Sequence, residues 1–414
     1  MKQLTLEKIQ DAQAVLTGIA RKTDLIEAPK LTCGAQVYLK TENLQATGSF
    51  KLRGAAYKIS QLDQEEKAAG IIACSAGNHA QGVALAAAHA NLKCTICMPD
   101  GAPISKVEAT KALGAEVFLV KGAYDDAYEH ALKLQAKSQA TFVHPFDDID
   151  VMAGQGTIAL EILEQLDQVE AIVVPIGGGG LIAGIAYAVK ALRPDVKVFG
   201  VQAERASSMF ESFKAGCRVK TETVETFADG IAVRTPGINT LALINKYVDQ
   251  IVTVTEDEIA TAILTLMEKQ KLVAEGAGGV AVAALLFHKL PVAGKKVVAI
   301  VSGGNIDVNI LSRVITRGLI TSGRQHRLEI ALEDKPGQLV GVSRVIEQCG
   351  ANVVRVDYTD SDPNTSVTSC VLKIGIETRG FDQIQAVETA LKEAGFNIIS
   401  NFRACLENPN LPKE

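Results

Sequence analysis

The chain has 414 residues, more than one ordinary hydrophobic core holds, so two or three domains are expected. Its 47% hydrophobic and 21% charged residues are those of a globular protein, and a net charge of -5 without a Lys/Arg-rich run argues against nucleic-acid or anionic-membrane partners. The 8 cysteines are scattered and follow no secretory signal, which predicts reduced thiols and a cytoplasmic location.

Residues 1–30 mix charged and apolar side chains and predict neither a signal peptide nor a spanning helix. From Gln36 to about Ser322, short β-branched runs alternate with longer helical patterns. Strands are predicted at 71–74, 116–120, 171–175, 196–202 and 296–301. Helices are predicted at 79–90, 124–139, 181–192, 207–215 and 306–316. This alternation predicts an α/β fold with two open parallel sheets, helices on both faces, and a ligand cleft between the sheets. Cys94 and Cys97 form a C-x-x-C inside a predicted strand, where a spacing of three puts them on opposite faces; packing is favoured there over redox or zinc chemistry. The register changes at 323–326, read as a linker. Beyond it come strand, helix, two strands, helix and strand, at 327–332, 338–349, 352–360, 365–376, 381–393 and 397–405. That βαββαβ order predicts a separate ferredoxin-like domain over 327–405, with 361–364 as the central hairpin connection.

Candidate chemistry sits where strands or loops lead into helices. Gly48 and Ser49 make a tight entry, and Leu52, Ala55, Ala56 and Ile59 then form a helical apolar face. Lys51 therefore falls in a first turn, whose positive dipole disfavours the ammonium form, as a Schiff-base lysine requires. A solvent-facing lysine is the plainer alternative. Ser75, Ala76, Gly77, Asn78 and His79 open the next helix, where exposed backbone N–H groups suit a carboxylate. His79 reads as a general base or, more simply, as a structural hydrogen-bonder. Gly177, Gly178, Gly179 and Gly180, followed by Leu181, let the backbone wrap a phosphate. Gly178, Gly180 and Ala183 equally satisfy a G-x-G-x-x-[GA] dinucleotide pattern, with Glu204 as the ribose acid, and this segment alone does not separate the two readings. Ser302, at the end of a strand, can offer a hydroxyl to a ring nitrogen. Glu275 lies in a glycine-rich bend, and 153–157 reads as another small-residue loop.

Taken in order, these segments resemble the fold-type II pyridoxal-phosphate (PLP) enzymes, specifically the threonine dehydratases (threonine ammonia-lyases). The resemblance covers nearly the whole chain and rests on Ser49 to Gly54 (S-F-K-L-R-G), Ser75 to Gly82, Gly177 to Gly180, Glu275, and Ser302 to Asn305 (S-G-G-N). The ordered set favours PLP over a dinucleotide. It implies a lyase that converts L-threonine, and also L-serine, to the 2-oxoacid and ammonia. Lys51 would carry the cofactor and take the substrate α-proton. Phe50 would pack against the ring, Asn78 would bind its 3-hydroxyl, and Ser302 would face its nitrogen. Gly177, Gly178, Gly179, Gly180 and the Leu181 N–H would hold the phosphate. The 75–79 loop would take the substrate carboxylate, and Glu275 joins the substrate-binding residues. The acid that protonates the leaving hydroxyl stays open.

Serine racemase is a close competitor; where that relative has a serine to protonate the far face, this chain has Ala76. A divalent-metal site is not predicted, because Phe210 stands where a carboxylate is expected beside Glu204; a monovalent cation stays open. An amino-acid sensor on an inactive scaffold is disfavoured by the intact Lys51. The catalytic domain is expected over 1–322, with a small subdomain at about 52–152. The domain over 327–405 resembles an ACT regulatory module through residues 332–339 and 350–352. It implies a homodimer or homotetramer controlled by an amino acid, isoleucine or valine, with isoleucine biosynthesis or threonine catabolism as the setting.

Overall fold

The computed structural model describes residues 3–31, 33–359 and 368–401. The chain divides into two compact units, Met1–Asp307 and Val308–Glu414. In the first, α1 (Leu6–Val15) precedes β1 (Leu25–Glu27), β2 (Gln36–Lys40), α2 (Lys51–Ser60) and α3 (Gln64–Ala69). An alternating stretch follows: β3 (Ile71–Cys74), α4 (Asn78–His89), β4 (Cys94–Pro99), α5 (Ile104–Ala112), β5 (Glu116–Val120), α6 (Tyr124–Ser138) and β6 (Thr141–Phe142). The chain then returns through α7 (Ile149–Gln165), β7 (Ala171–Pro175), α8 (Gly180–Leu192), β8 (Lys197–Ala203), α9 (Ser208–Ala215) and α10 (Ile238–Tyr247). It closes with β9 (Gln250–Val254), α11 (Glu256–Thr265), α12 (Gly276–Leu286) and β10 (Lys296–Ile300).

The larger sheet has the order β1-β2-β10-β7-β8-β9. All its pairings are parallel except β1 with β2, an antiparallel edge of 3 residues too short to leave a period in the sequence. The smaller sheet, β5-β4-β3-β6, is wholly parallel. Its central strand β3 is buried along its length, as expected when helices cover both faces. Cys94 and Cys97 do point to opposite faces of β4. Cys94 packs with residues of α2 and α4, and Cys97 packs with Ala127 and Ala131 of α6. Burial pushes the two thiols up to about 12 and about 11, so neither is a ready nucleophile.

The 153–157 segment, expected as a loop, lies inside α7. Its glycines serve close helix approach. A Cβ on Gly154 would sit 2.5 Å from the Arg53 carbonyl of α2, and one on Gly156 would sit 3.0 Å from the Gly184 carbonyl of α8. The helix carrying Lys51 is thus seated backbone-to-backbone against the middle of the unit.

In the second unit, α13 (Val308–Thr321) leads into β11 (Gln325–Glu333), α14 (Gln338–Gln348), β12 (Asn352–Thr359), β13 (Ser369–Glu377), α15 (Phe381–Glu393) and β14 (Asn397–Asn401). The strands form an antiparallel sheet of order β12-β13-β11-β14, the ferredoxin-like arrangement. Leu328, Ile330, Leu372 and Ile374 on the sheet pack against Val342, Ile346, Val387 and Leu391 on its helices. The division of the chain falls before α13, where the sequence reading set the boundary after this helix. The 361–364 connection and the expected strand residues beyond 401 lie outside the described residues.

Candidate active site

A cavity of about 650 Å³ opens in the first unit beyond the carboxyl ends of β3, β7 and β10. Open α/β sheets place ligands there because loops and helix N-termini converge at those strand ends. Its wall brings together Phe50, Lys51, Ser75, Ala76, Gly77, Asn78, His79, Gly177, Gly178, Gly179, Gly180, Leu181, Glu275 and Ser302. The residues expected from the sequence therefore line one space.

Lys51 is the first residue of α2, reached through Gly48 in the left-handed conformation at φ 70°. Its Nζ donates to the Pro145 carbonyl at 3.0 Å and lies 5.2 Å from the Phe50 ring centre. Burial pushes the ammonium down to about 8, against the opposing charge of Glu275. Desolvation is the largest cause of that shift, one the sequence reading, which invoked the helix dipole, did not include. Two residues on, Arg53 anchors the same helix turn in the core. Its guanidinium spans the Glu42 carboxylate at 2.9 and 2.8 Å and the Glu161 carboxylate at 2.6 and 3.0 Å, while Lys40 donates to Glu161 at 2.6 Å. Two cations thus face two anions in a buried, charge-balanced group.

Asn78 opens α4, and its Nδ2 donates to Glu275 Oε1 at 2.6 Å. Glu275 caps α12 rather than sitting in an open bend, and burial raises its carboxyl to about 7. His79 Nε2 lies 2.8 Å from the Val143 carbonyl, so that nitrogen carries a proton and donates. Burial and the neighbouring Lys51 push the ring's pKa down to about 3, which fits the structural reading of His79 over the general base. Gly177 to Gly180 pass over Phe146. A Cβ on Gly178 would enter the Phe146 ring, and one on Gly180 would meet its carbonyl at 2.8 Å. The first-turn N–H groups of α8 then face the cavity without intrahelical acceptors. Ser302 is buried in the cavity lining, its hydroxyl donating weakly to the Ala277 carbonyl at 3.2 Å.

Several wall residues were not anticipated. His144, Pro145 and Phe146 form the floor below Lys51 and the glycines. His144 Nδ1 accepts from the Phe146 and Asp147 amides, and burial pushes the ring's pKa down. At the rim, Lys106 of α5 pairs with Asp229. Gln155 of α7 lines the wall, and its buried Oε1 has no hydrogen-bond partner among the described residues. A histidine before a proline was the faint signal for the floor. The rest depend on which segments meet, which local pattern does not report.

A buried lysine of depressed pKa, a glycine loop leading into a helix N-terminus, a buried uncharged hydroxyl, and a polar oxygen without a hydrogen-bond partner among the described residues suit a phosphorylated aromatic aldehyde. The comparisons agree. Residues 16–303 match the family described as pyridoxal-phosphate dependent enzyme. The chain is 48% identical over 397 residues to an L-threonine ammonia-lyase of Thermotoga maritima, covering 95% of this chain and 99% of that protein. It is 44% identical to an L-threonine ammonia-lyase of Geobacter sulfurreducens, covering 94% and 97%. Among solved structures, the processed form of threonine deaminase isoform 2 from Solanum lycopersicum superposes with a TM-score of 0.72 at 40% identity, covering 76% of this chain and 88% of that one. The dinucleotide reading of the glycine loop is thereby set aside. The chain belongs to the pyridoxal-phosphate-dependent enzymes.

Proposed function

We propose that this chain is a threonine ammonia-lyase that converts L-threonine to 2-oxobutanoate and ammonia and also accepts L-serine. The carrying observation is Lys51, buried with its pKa lowered to about 8 and set between the glycine cradle and the Glu275–Asn78 pair. The names of the curated relatives supply the substrate.

When bound, the cofactor supplies a conjugated ring that takes up the electron pair released at the substrate α-carbon. Gly177, Gly178, Gly179, Gly180 and the Leu181 N–H would hold its phosphate, and Phe50 would cover its ring. Asn78 has a second N–H for the ring's 3-hydroxyl. Lys51 would join the aldehyde carbon, which its lowered pKa favours by leaving more free amine at neutral pH. Lys51 would also be the base that takes the substrate α-proton. Ser302, being uncharged, would face the ring nitrogen without the ion pair an aspartate makes, which suits loss of the β-hydroxyl. The α4 N-terminus, at Ser75 to His79, would hold the substrate carboxylate, with Glu275 beside it. Ala76 carries no proton for the opposite face, which argues against racemisation. The ferredoxin-like fold of the second unit supports a regulatory domain answering to isoleucine or valine, and an assembly of two or four copies. The seven described cysteines are free thiols, which fits the cytoplasm.

The test is purified protein, inspected for a yellow chromophore and assayed for 2-oxobutanoate from threonine, with and without isoleucine or valine. Lys51→Ala should lose the chromophore and cut turnover by about a thousandfold or more. Undiminished turnover by that variant would end the proposal.

A further inference from the structure

We infer that Asn305 is a positioning residue that sets which end of the Asn78 amide faces the cofactor. Asn305 is not on the cavity wall. Its Nδ2 nevertheless donates twice, to the Thr47 carbonyl at 2.7 Å and to Asn78 Oδ1 at 2.8 Å. Asn78 Oδ1 is thereby used as an acceptor away from the cavity, and Asn78 Nδ2 turns inward, where one N–H reaches Glu275. The other N–H remains for a ring oxygen. An amide left to itself has two nearly isosteric orientations. Here both ends are specified by protein partners before any ligand enters.

The same side chain reaches the lysine entry. Gly48 passes so close to Asn305 that a Cβ there would collide with Oδ1, and the Gly48 carbonyl accepts from Gly304 N at 2.9 Å. Phe50 N donates to the Ser302 carbonyl at 3.2 Å. Asn305 therefore joins the Lys51 loop, the Asn78 turn and the Ser302 segment, three stretches far apart in the chain. This inference rests on the PLP reading above.

The test uses Asn305→Asp, which keeps the shape but has no N–H to donate. Asn78 Nδ2 would then turn toward position 305 and present Oδ1 to the ring oxygen. Apoprotein is titrated with pyridoxal 5'-phosphate, followed by its visible band, in wild type, Asn305→Asp, Asn78→Ala and the double variant. The single Asn305→Asp change should weaken binding about 5- to 10-fold, the scale of one lost hydrogen bond. In the Asn78→Ala background it should add less than about twofold, because the residue it acts through is gone. The visible band of Asn305→Asp should also shift its pH dependence relative to wild type. Asn305→Leu, of similar size and with no donor at all, serves the same cycle should the aspartate not fold. Full additivity, or unaltered affinity with an unaltered band, overturns the inference. Failure of wild-type apoprotein to bind pyridoxal 5'-phosphate at all would instead overturn the PLP reading.

Discussion

Replacing Glu275 by glutamine removes one ionisable group and little else, because the amide oxygen can still accept from Asn78. Glu275 is 3% exposed, and burial together with the nearby Asp229 raises its carboxyl from 4.5 to about 7. That displacement corresponds to about 3 kcal/mol, at ~1.4 kcal/mol per pH unit. The folded value lies above the unfolded one, so the folded chain keeps the proton where the unfolded chain has released it. The stability this group contributes is fully present below about pH 4.5 and is lost as pH rises through about 7. Glutamine has no proton to lose and escapes the penalty. Urea unfolding of cofactor-free wild type and Glu275→Gln at pH 5, 6, 7 and 8 measures the difference. The variant should gain on wild type by about 2–3 kcal/mol between pH 5 and 8. Parallel stability profiles across that range would refute the reasoning, since they would mean that the carboxyl titrates at the same pH folded and unfolded.

Other substitutions probe the frame around Lys51. Gly154→Ala should destabilise by about 1–3 kcal/mol despite alanine's better helix propensity, because the new methyl would press on the Arg53 carbonyl and Gly54 Cα of α2; thermal unfolding decides the sign, and a stabilised variant would show that the helices yield. Arg53→Met should cost about 3–5 kcal/mol in urea unfolding, because Glu42 and Glu161 would remain buried with Lys40 alone to offset them. A neutral outcome there would mean that the carboxylates protonate without consequence.

Much of the site was legible because each part is local. A β-branched run followed by small residues and a helical period marks a strand end feeding a helix N-terminus, and Ser75 to His79, Gly177 to Leu181 and Ser302 all carry that pattern. Their order along the chain carried the family resemblance. The short antiparallel β1 escaped because 3 residues show no period. The α7 glycines misled because local punctuation and close helix crossing use the same residue.

Residue types, periodicity and spacing thus determined the α/β architecture, the ferredoxin-like tail and the loop residues that meet at the cavity, though not its floor at His144 to Phe146. Tertiary structure alone decided how those residues behave. The amine of Lys51 is depressed by the surrounding burial, Glu275 is raised by the same desolvation, and His79 is spent on the Val143 carbonyl. Asn78 takes its orientation from Asn305 and Glu275, 227 and 197 residues away. Desolvation and hydrogen-bond geometry arise only when distant segments meet, and no local pattern encodes them.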